Sequence, residues 1–174
     1  LKNGKSKWIT NEESRSLVHS FRAEFDAIII GGNTLRRDNP LLTTRGSKNP
    51  EPLRVVFTKS LDLPSESNLW DCGNARSIVI YDSSTANESY LKRIPKCVDV
   101  EKISSDNPEL VSKILAKRGC NKVLWECGPT LATSAIKSNC IQEIITFVAP
   151  KILGGENSMN CLLYTSDAAD ESSS

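Results

Sequence analysis

Two stretches of this chain put polar and charged groups directly after an apolar strand pattern. In the first, Ala27-Ile28-Ile29-Ile30 runs into Gly31-Gly32 and then Asn33 to Arg45, a polar segment carrying Thr34, Arg36, Arg37, Asp38 and Arg45. In the second, Lys122–Glu126 runs through Cys127 into Gly128-Pro129-Thr130 and an apolar helical pattern. The C-terminal ends of strands in an open α/β sheet are where ligands bind. A helix opening at Gly-Pro-Thr has free N–H groups and a dipole suited to a phosphate, although Gly-Pro also starts helices with no ligand role. Glu126 stands at a strand end, either as an active-site carboxylate or as a solvent-facing residue. Of the adjacent Arg36 and Arg37, at least one is expected simply to be solvated.

The elements that must position these groups alternate along the chain. Thr10 and Glu13 form a capping-box pattern before a helix ending at Arg22, with Leu17, Val18, Phe21 and Phe25 as its apolar stripe. Asp26–Gly32, Leu53–Thr58, Ser77–Tyr81 and Lys122–Glu126 read as buried strands, and Cys97–Val100 as a weaker one. Leu61–Asn74 reads as loop and Tyr90–Arg93 as a short helical patch. Asn107 caps a helix with Pro108 at its first position, and Gly119 ends it. The helix after Gly128 turns Leu131, Ala132, Ala135 and Ile136 inward. Gln142–Ala149 is expected to be a further strand. Strands alternating with helices predict an α/β fold with a largely parallel sheet.

Bulk properties narrow the function. The 174 residues carry 22 Lys and Arg against 21 Asp and Glu, so no broad field attracts nucleic acid or an anionic membrane. No apolar run approaches the roughly 20 residues a bilayer span requires. The six cysteines form no C-x-x-C pair and His19 is the single histidine, so no metal site is expected and the thiols read as reduced. His19 reads as an ordinary helical histidine. A chain opening on Leu1 reads as a fragment. Cys161–Glu171 lacks periodicity and resembles a translated sequencing adapter, so 161–174 is expected to be an adapter-derived or disordered tail behind a domain of 1–160.

Five motifs in order, SKWIT, the helix ending in Arg22, GGNTLRRDNPLLTTR, LWECGPTLA and IITFVAPKILGG, carry a family resemblance over Ser6–Gly155. The chain resembles the reductase domain of bifunctional riboflavin-biosynthesis deaminase/reductases, the 5-amino-6-(5-phosphoribosylamino)uracil reductases. RRDNP, LDLP with NLWD, and WECGP are most similar to the plant and algal branch. The resemblance implies a dihydrofolate-reductase-like three-layer fold, here truncated at both ends. It further implies NADPH-dependent reduction of a ribosylamino to a ribitylamino group. Ser6, Arg22, Leu42, Arg45 and Glu126 match its substrate-binding positions, with Glu126 the catalytic candidate. Trp8, Thr34, Asp38 and Gly128, Pro129, Thr130, Leu131, Ala132, Thr133 and Ser134 match its cofactor-binding positions.

Arg22 and Arg45 suit the phosphate of such a substrate, with Ser6 as a neutral donor. Asp38-Asn39-Pro40 departs from the family's usual Asp-Asp-Pro. Lys59 departs from a usually small polar position, and no role is carried onto it. The deaminase zinc signature is absent from the sequence. The resemblance also implies a homodimer, possible fusion to a deaminase or other domain, and a cytoplasmic or plastid-stromal location. The alternatives are a non-catalytic nucleotide-binding domain of the same fold and a reductase of another pyrimidine or pterin. As a truncated domain these residues alone are expected to fold poorly and turn over little, since stability margins are only ~5–15 kcal/mol.

Overall fold

The computed structural model describes residues 12–147, so Ser6, Trp8, Thr10 and the 161–174 tail lie outside the described residues. Five strands form one sheet: β1 Ala27–Gly31, β2 Leu53–Thr58, β3 Ser77–Asp82, β4 Asp99–Ile103 and β5 Val123–Trp125. Their spatial order is β4-β3-β2-β1-β5 and every pairing is parallel. β1 pairs along its whole length with β2 and through Ala27, Ile28 and Ile29 with β5. Asp26 fixes that second register. Its Oδ2 accepts from the backbone N–H groups of Asn121 (2.8 Å) and Lys122 (3.0 Å), which hold its carboxyl below the usual carboxylate range.

Period-two alternation splits the core between the two faces of the sheet. Ala27, Ile29, Val55, Phe57, Ile78 and Ile80 face one cluster, closed by α3 (Pro108–Lys117) through Val111 and Leu115 and by α4 (Pro129–Lys137) through Leu131. Ile28, Ile30, Val56 and Val79 face the other, closed by Leu35 of α2 (Gly32–Asp38) and by Leu69, Trp70 and Ile94 from short 3-10 turns. Three layers result. At the β4 edge, Arg118 donates to Asp99 (2.7 Å) and Glu101 (2.8 Å), giving that edge the charged cover expected of an exposed strand.

Buried Arg54, on β2, has no carboxylate partner among the described residues. Its guanidinium donates to the carbonyls of Asn68 (3.3 Å), Leu69 (3.2 Å), Asp71 (2.6 Å) and Ala75 (2.7 Å). It thereby ties the loop containing the 3-10 turn Asn68–Trp70 beneath the sheet. Burial lowers the Arg54 pKa, and the carbonyl oxygens compensate part of that cost.

Several sequence expectations are corrected. The stretch after Gly32, expected as a polar turn, is helix α2, because Leu35 buries against the sheet. The strand expected over Cys97–Val100 runs instead from Asp99 to Ile103, following its partner β3. The Lys122–Glu126 strand is only Val123–Trp125 and is half-buried, since it pairs on one side only among the described residues. Residues 142–147 of the expected Gln142–Ala149 strand pair with nothing described, and Ile144, Ile145 and Phe147 stand exposed. An apolar run becomes a strand only where a ladder partner and a face are available. Leu17 and Ile136, expected to face inward, are exposed as well.

Gly32 is where the chain passes from β1 into α2, and the space there is restricted. A Cβ on Gly32 would meet Thr58 Oγ1 at 2.7 Å, whereas one on Gly31 meets only Leu131 Cδ2 at 3.7 Å. Gly32→Ala is predicted to cost ~1–3 kcal/mol and Gly31→Ala much less. Urea titrations of both variants check the contrast.

Candidate functional site

Strand order reverses beside β1. The chain moves from β1 outward through β2, β3 and β4, then returns to place β5 on the other side of β1. The connections leaving β1 and β5, α2 and α4, pack on opposite faces. A crevice must therefore open at the C-terminal ends of these two strands, as such reversals dictate. A cavity of about 730 Å³ lies there, lined among others by Gly31, Thr34, Asp38, Lys59, Gly128 and Leu131. Pro129, Thr130 and Ser134 also line it, while Ala132 and Thr133, on the same helix, do not.

Gly128 is the N-cap of α4, with extended backbone and no side-chain cap. A Cβ there would meet nothing within 4 Å. First-turn N–H groups are thus left for a ligand, and a phosphate can approach the backbone closely. Of the arginine pair, Arg36 is committed to structure: it donates to the Asp62 carbonyl at 2.7 Å and to Asn33 Oδ1. Arg37 is exposed on the crevice wall. Lys59 forms an ion pair with Asp106 across the same crevice.

Beside the crevice, Glu126 directly follows β5, and its N–H donates to the Ile29 carbonyl of β1 at 2.9 Å. Arg22, on the last turn of α1 (Glu12–Glu24), grips its carboxylate as a fork: Nε to Oε2 at 2.9 Å and Nη2 to Oε1 at 2.7 Å. Nη1 donates to the Thr43 carbonyl at 3.1 Å and lies 3.3 Å from His19 Nδ1. Arg22 is only 8% exposed. Its guanidinium therefore orients Glu126 rather than standing free for a phosphate, the role its residue type suggested. The glutamate keeps a third of its side-chain surface open.

The loop that follows α2 carries the remaining expected substrate residues. Asn39, Leu42 and Arg45 all have left-handed backbone, with φ of 40°, 52° and 56°. Such conformations cost energy outside glycine and concentrate at ligand sites. Leu42 is buried in the core, so only its main chain is available to a ligand, whereas Arg45 is exposed. Two anchors hold the loop. Asn39 Oδ1 accepts from Ser67 Oγ (2.8 Å) and Asn68 N (2.9 Å), an acceptor role that an aspartate would fill equally. Glu51 receives both the N–H and the hydroxyl of buried Thr44, at 2.7 and 2.9 Å.

Sequence reading missed Thr44, Glu51 and the place of His19. Thr44 and Glu51 carry no periodic signal, and a histidine seven residues into a helix gives no hint of a neighbour from another loop. Motif pattern marks Arg22 and Glu126 separately but not as partners, because they stand 104 positions apart in the sequence.

Fold and site together define an α/β domain with an open crevice at the strand reversal and the Arg22–Glu126 ion pair beside it. The model of the RibD C-terminal domain family matches residues 1–164, so the chain belongs to that family. It is 45% identical over 152 residues to the riboflavin biosynthesis protein RibD of Synechocystis, covering 86% of this chain and 41% of that protein. Against the chloroplastic riboflavin biosynthesis protein PYRR of Arabidopsis thaliana it is 44% identical over 154 residues, covering 88% and 26%. A Thermotoga maritima diaminohydroxyphosphoribosylaminopyrimidine deaminase/5-amino-6-(5-phosphoribosylamino)uracil reductase superimposes with a TM-score of 0.60 at 29% identity, covering 78% of this chain and 36% of that one. The fold is the dihydrofolate-reductase-like one of RibD reductase domains. The chain spans less than half the length of these relatives.

Burial and the adjacent Arg22 and Arg45 charges lower the His19 pKa from its ordinary 6.5. A depressed histidine stabilises the fold while neutral. Below about pH 6.5 the unfolded chain takes up the proton first, so stability falls as pH drops. Urea midpoints are predicted to fall from about pH 7.5 to 5.5 by a margin that His19→Asn reduces.

Proposed function

We propose that this domain reduces the ribosylamino group of 5-amino-6-(5-phosphoribosylamino)uracil to a ribitylamino group in riboflavin biosynthesis, using NADPH. Membership of the RibD C-terminal family supports the reading, and one structural observation carries it. The Arg22–Glu126 fork and the uncapped N-terminus of α4 flank the same strand end, so a substrate beside Glu126 adjoins a cofactor in the crevice.

The cavity fits a dinucleotide on its own terms. Gly128 leaves open backbone along its wall, and the first turn of α4 presents N–H groups without side-chain partners. Gly128, Pro129, Thr130, Leu131 and Ser134 would hold the pyrophosphate end, with Thr34 and Asp38 on the facing wall. When bound, a nicotinamide supplies the hydride, leaving the protein to position and polarise.

The residues of the chain then divide the work. Exposed Arg45, on its pinned left-handed loop, provides a cation for the substrate phosphate, and Leu42 contributes main-chain groups. Glu126 stabilises the positive charge of the ring-opened imine once its nitrogen has taken a proton from solvent, the form that accepts a hydride at carbon. Arg22 keeps that carboxylate in one orientation. Ser6 and Trp8 complete the proposal as a hydrogen-bond donor to the phosphate and a cofactor-packing surface.

The domain is proposed to extend over 1–160, to act as a homodimer, and to be joined to a deaminase or other domain in the whole protein. A plastid stroma or cytoplasm is the proposed location. Among the described residues no helix is long and apolar enough to cross a membrane.

Glu126→Gln, in the chain expressed within its complete open reading frame, is predicted to lower kcat more than about tenfold, or ~1.4 kcal/mol, with a smaller change in cofactor affinity. Arg45→Ala is predicted to raise the substrate KM by about tenfold with kcat less affected. Steady-state assays varying the pyrimidine and the cofactor in turn separate the two roles.

A further inference from the structure

Lys59 lies outside the roles assigned above, yet it stands on the crevice wall one residue beyond β2, and Asp106 faces it from the loop before α3. The two are joined as an ion pair, with 66% and 44% of their side-chain surfaces exposed, so neither is buried structural glue. Among the described residues, three cations line the crevice: Arg36, Arg37 and Lys59. Arg36 is held by Asn33 and the Asp62 carbonyl.

Resting on the reading that the crevice binds a nicotinamide dinucleotide, we infer that Lys59 and Asp106 set the choice between its phosphorylated and unphosphorylated forms. A pyrophosphate at the start of α4 lies over β5, and the strand order from there is β1 and then β2. Two strand spacings amount to about 10 Å, which puts Lys59 near the adenosine ribose rather than over the pyrophosphate.

At that place the pair offers two different partners. A 2′-phosphate takes the ammonium from Asp106 and meets a point charge that a flexible stem can bring to it. A bare 2′-hydroxyl instead finds in Asp106 the carboxylate that recognises a ribose diol in dinucleotide sites generally. Lys59 therefore favours the phosphorylated cofactor. Asp106 works against it by like-charge repulsion and by competing for the lysine.

Opposite changes from the two ends of one ion pair provide the test. NADPH and NADH are titrated calorimetrically into the wild type, Lys59→Ala, Lys59→Arg and Asp106→Asn, each in the complete open reading frame. Lys59→Ala is expected to weaken NADPH at least about tenfold and leave NADH within about twofold. Lys59→Arg is expected to retain the preference, and Asp106→Asn to widen it by weakening NADH. Both side chains are exposed, so loss of folding is not expected, and the NADH titration reports on it directly. An unchanged NADPH-to-NADH ratio in Lys59→Ala overturns the inference while leaving the cofactor reading intact. So does a wild type that binds both forms equally. A wild type that binds neither overturns both.

Discussion

Everything at this site depends on β1 having a parallel partner on each side. Ala27 to Ile30 are buried without exception, which forces the strand into the sheet interior. Parallel neighbours then oblige the chain to leave β1 and β5 by helices at the same end of the sheet. Because those helices pack on opposite faces, their N-termini separate and leave a gap. The crevice is thus a consequence of topology before any side chain is considered. Asp26 guards this arrangement from the far end by fixing β5 to β1, its carboxylate accepting from the backbone N–H groups of Asn121 and Lys122.

Polar anchoring supplies the remaining order. Buried Arg54 holds the 67–75 loop by its carbonyls, that loop holds Asn39 through Ser67 and Asn68, and Asn39 begins the segment that ends at Arg45. On the other side Glu51 clamps Thr44, whose neighbour Thr43 offers its carbonyl to Arg22. An exposed arginine on a loop gains a fixed position only if the loop is fixed. Here the cost of three left-handed residues is offset by hydrogen bonds at both ends of the segment.

The strands β1, β2 and β3 were legible because buried parallel strands read as continuous β-branched runs, and α3 because Asn107 and Pro108 mark its start. The apolar run at 142–147 shows the limit of that logic, since a run states a preference and not a partner. At the site, the glycines and the Glu126 strand end were visible as local punctuation. The Arg22–Glu126 fork, the Thr44–Glu51 clamp and the Lys59–Asp106 pair were not. Each joins segments whose proximity exists only after the sheet has formed. Arg54 was hidden for a different reason: its flanking residues Leu53 and Val55 are apolar, and its partners are main-chain carbonyls that leave no mark in the residue types.

The central claim is that one strand end brings a reducible phosphorylated pyrimidine against a hydride donor. The most direct measurement follows NADPH absorbance with and without 5-amino-6-(5-phosphoribosylamino)uracil, with mass spectrometry of the product, on the protein from the complete open reading frame. Oxidation that requires the pyrimidine and yields the ribitylamino compound is the predicted result. NADPH binding with no pyrimidine-dependent oxidation would contradict it and identify a nucleotide-binding domain without turnover.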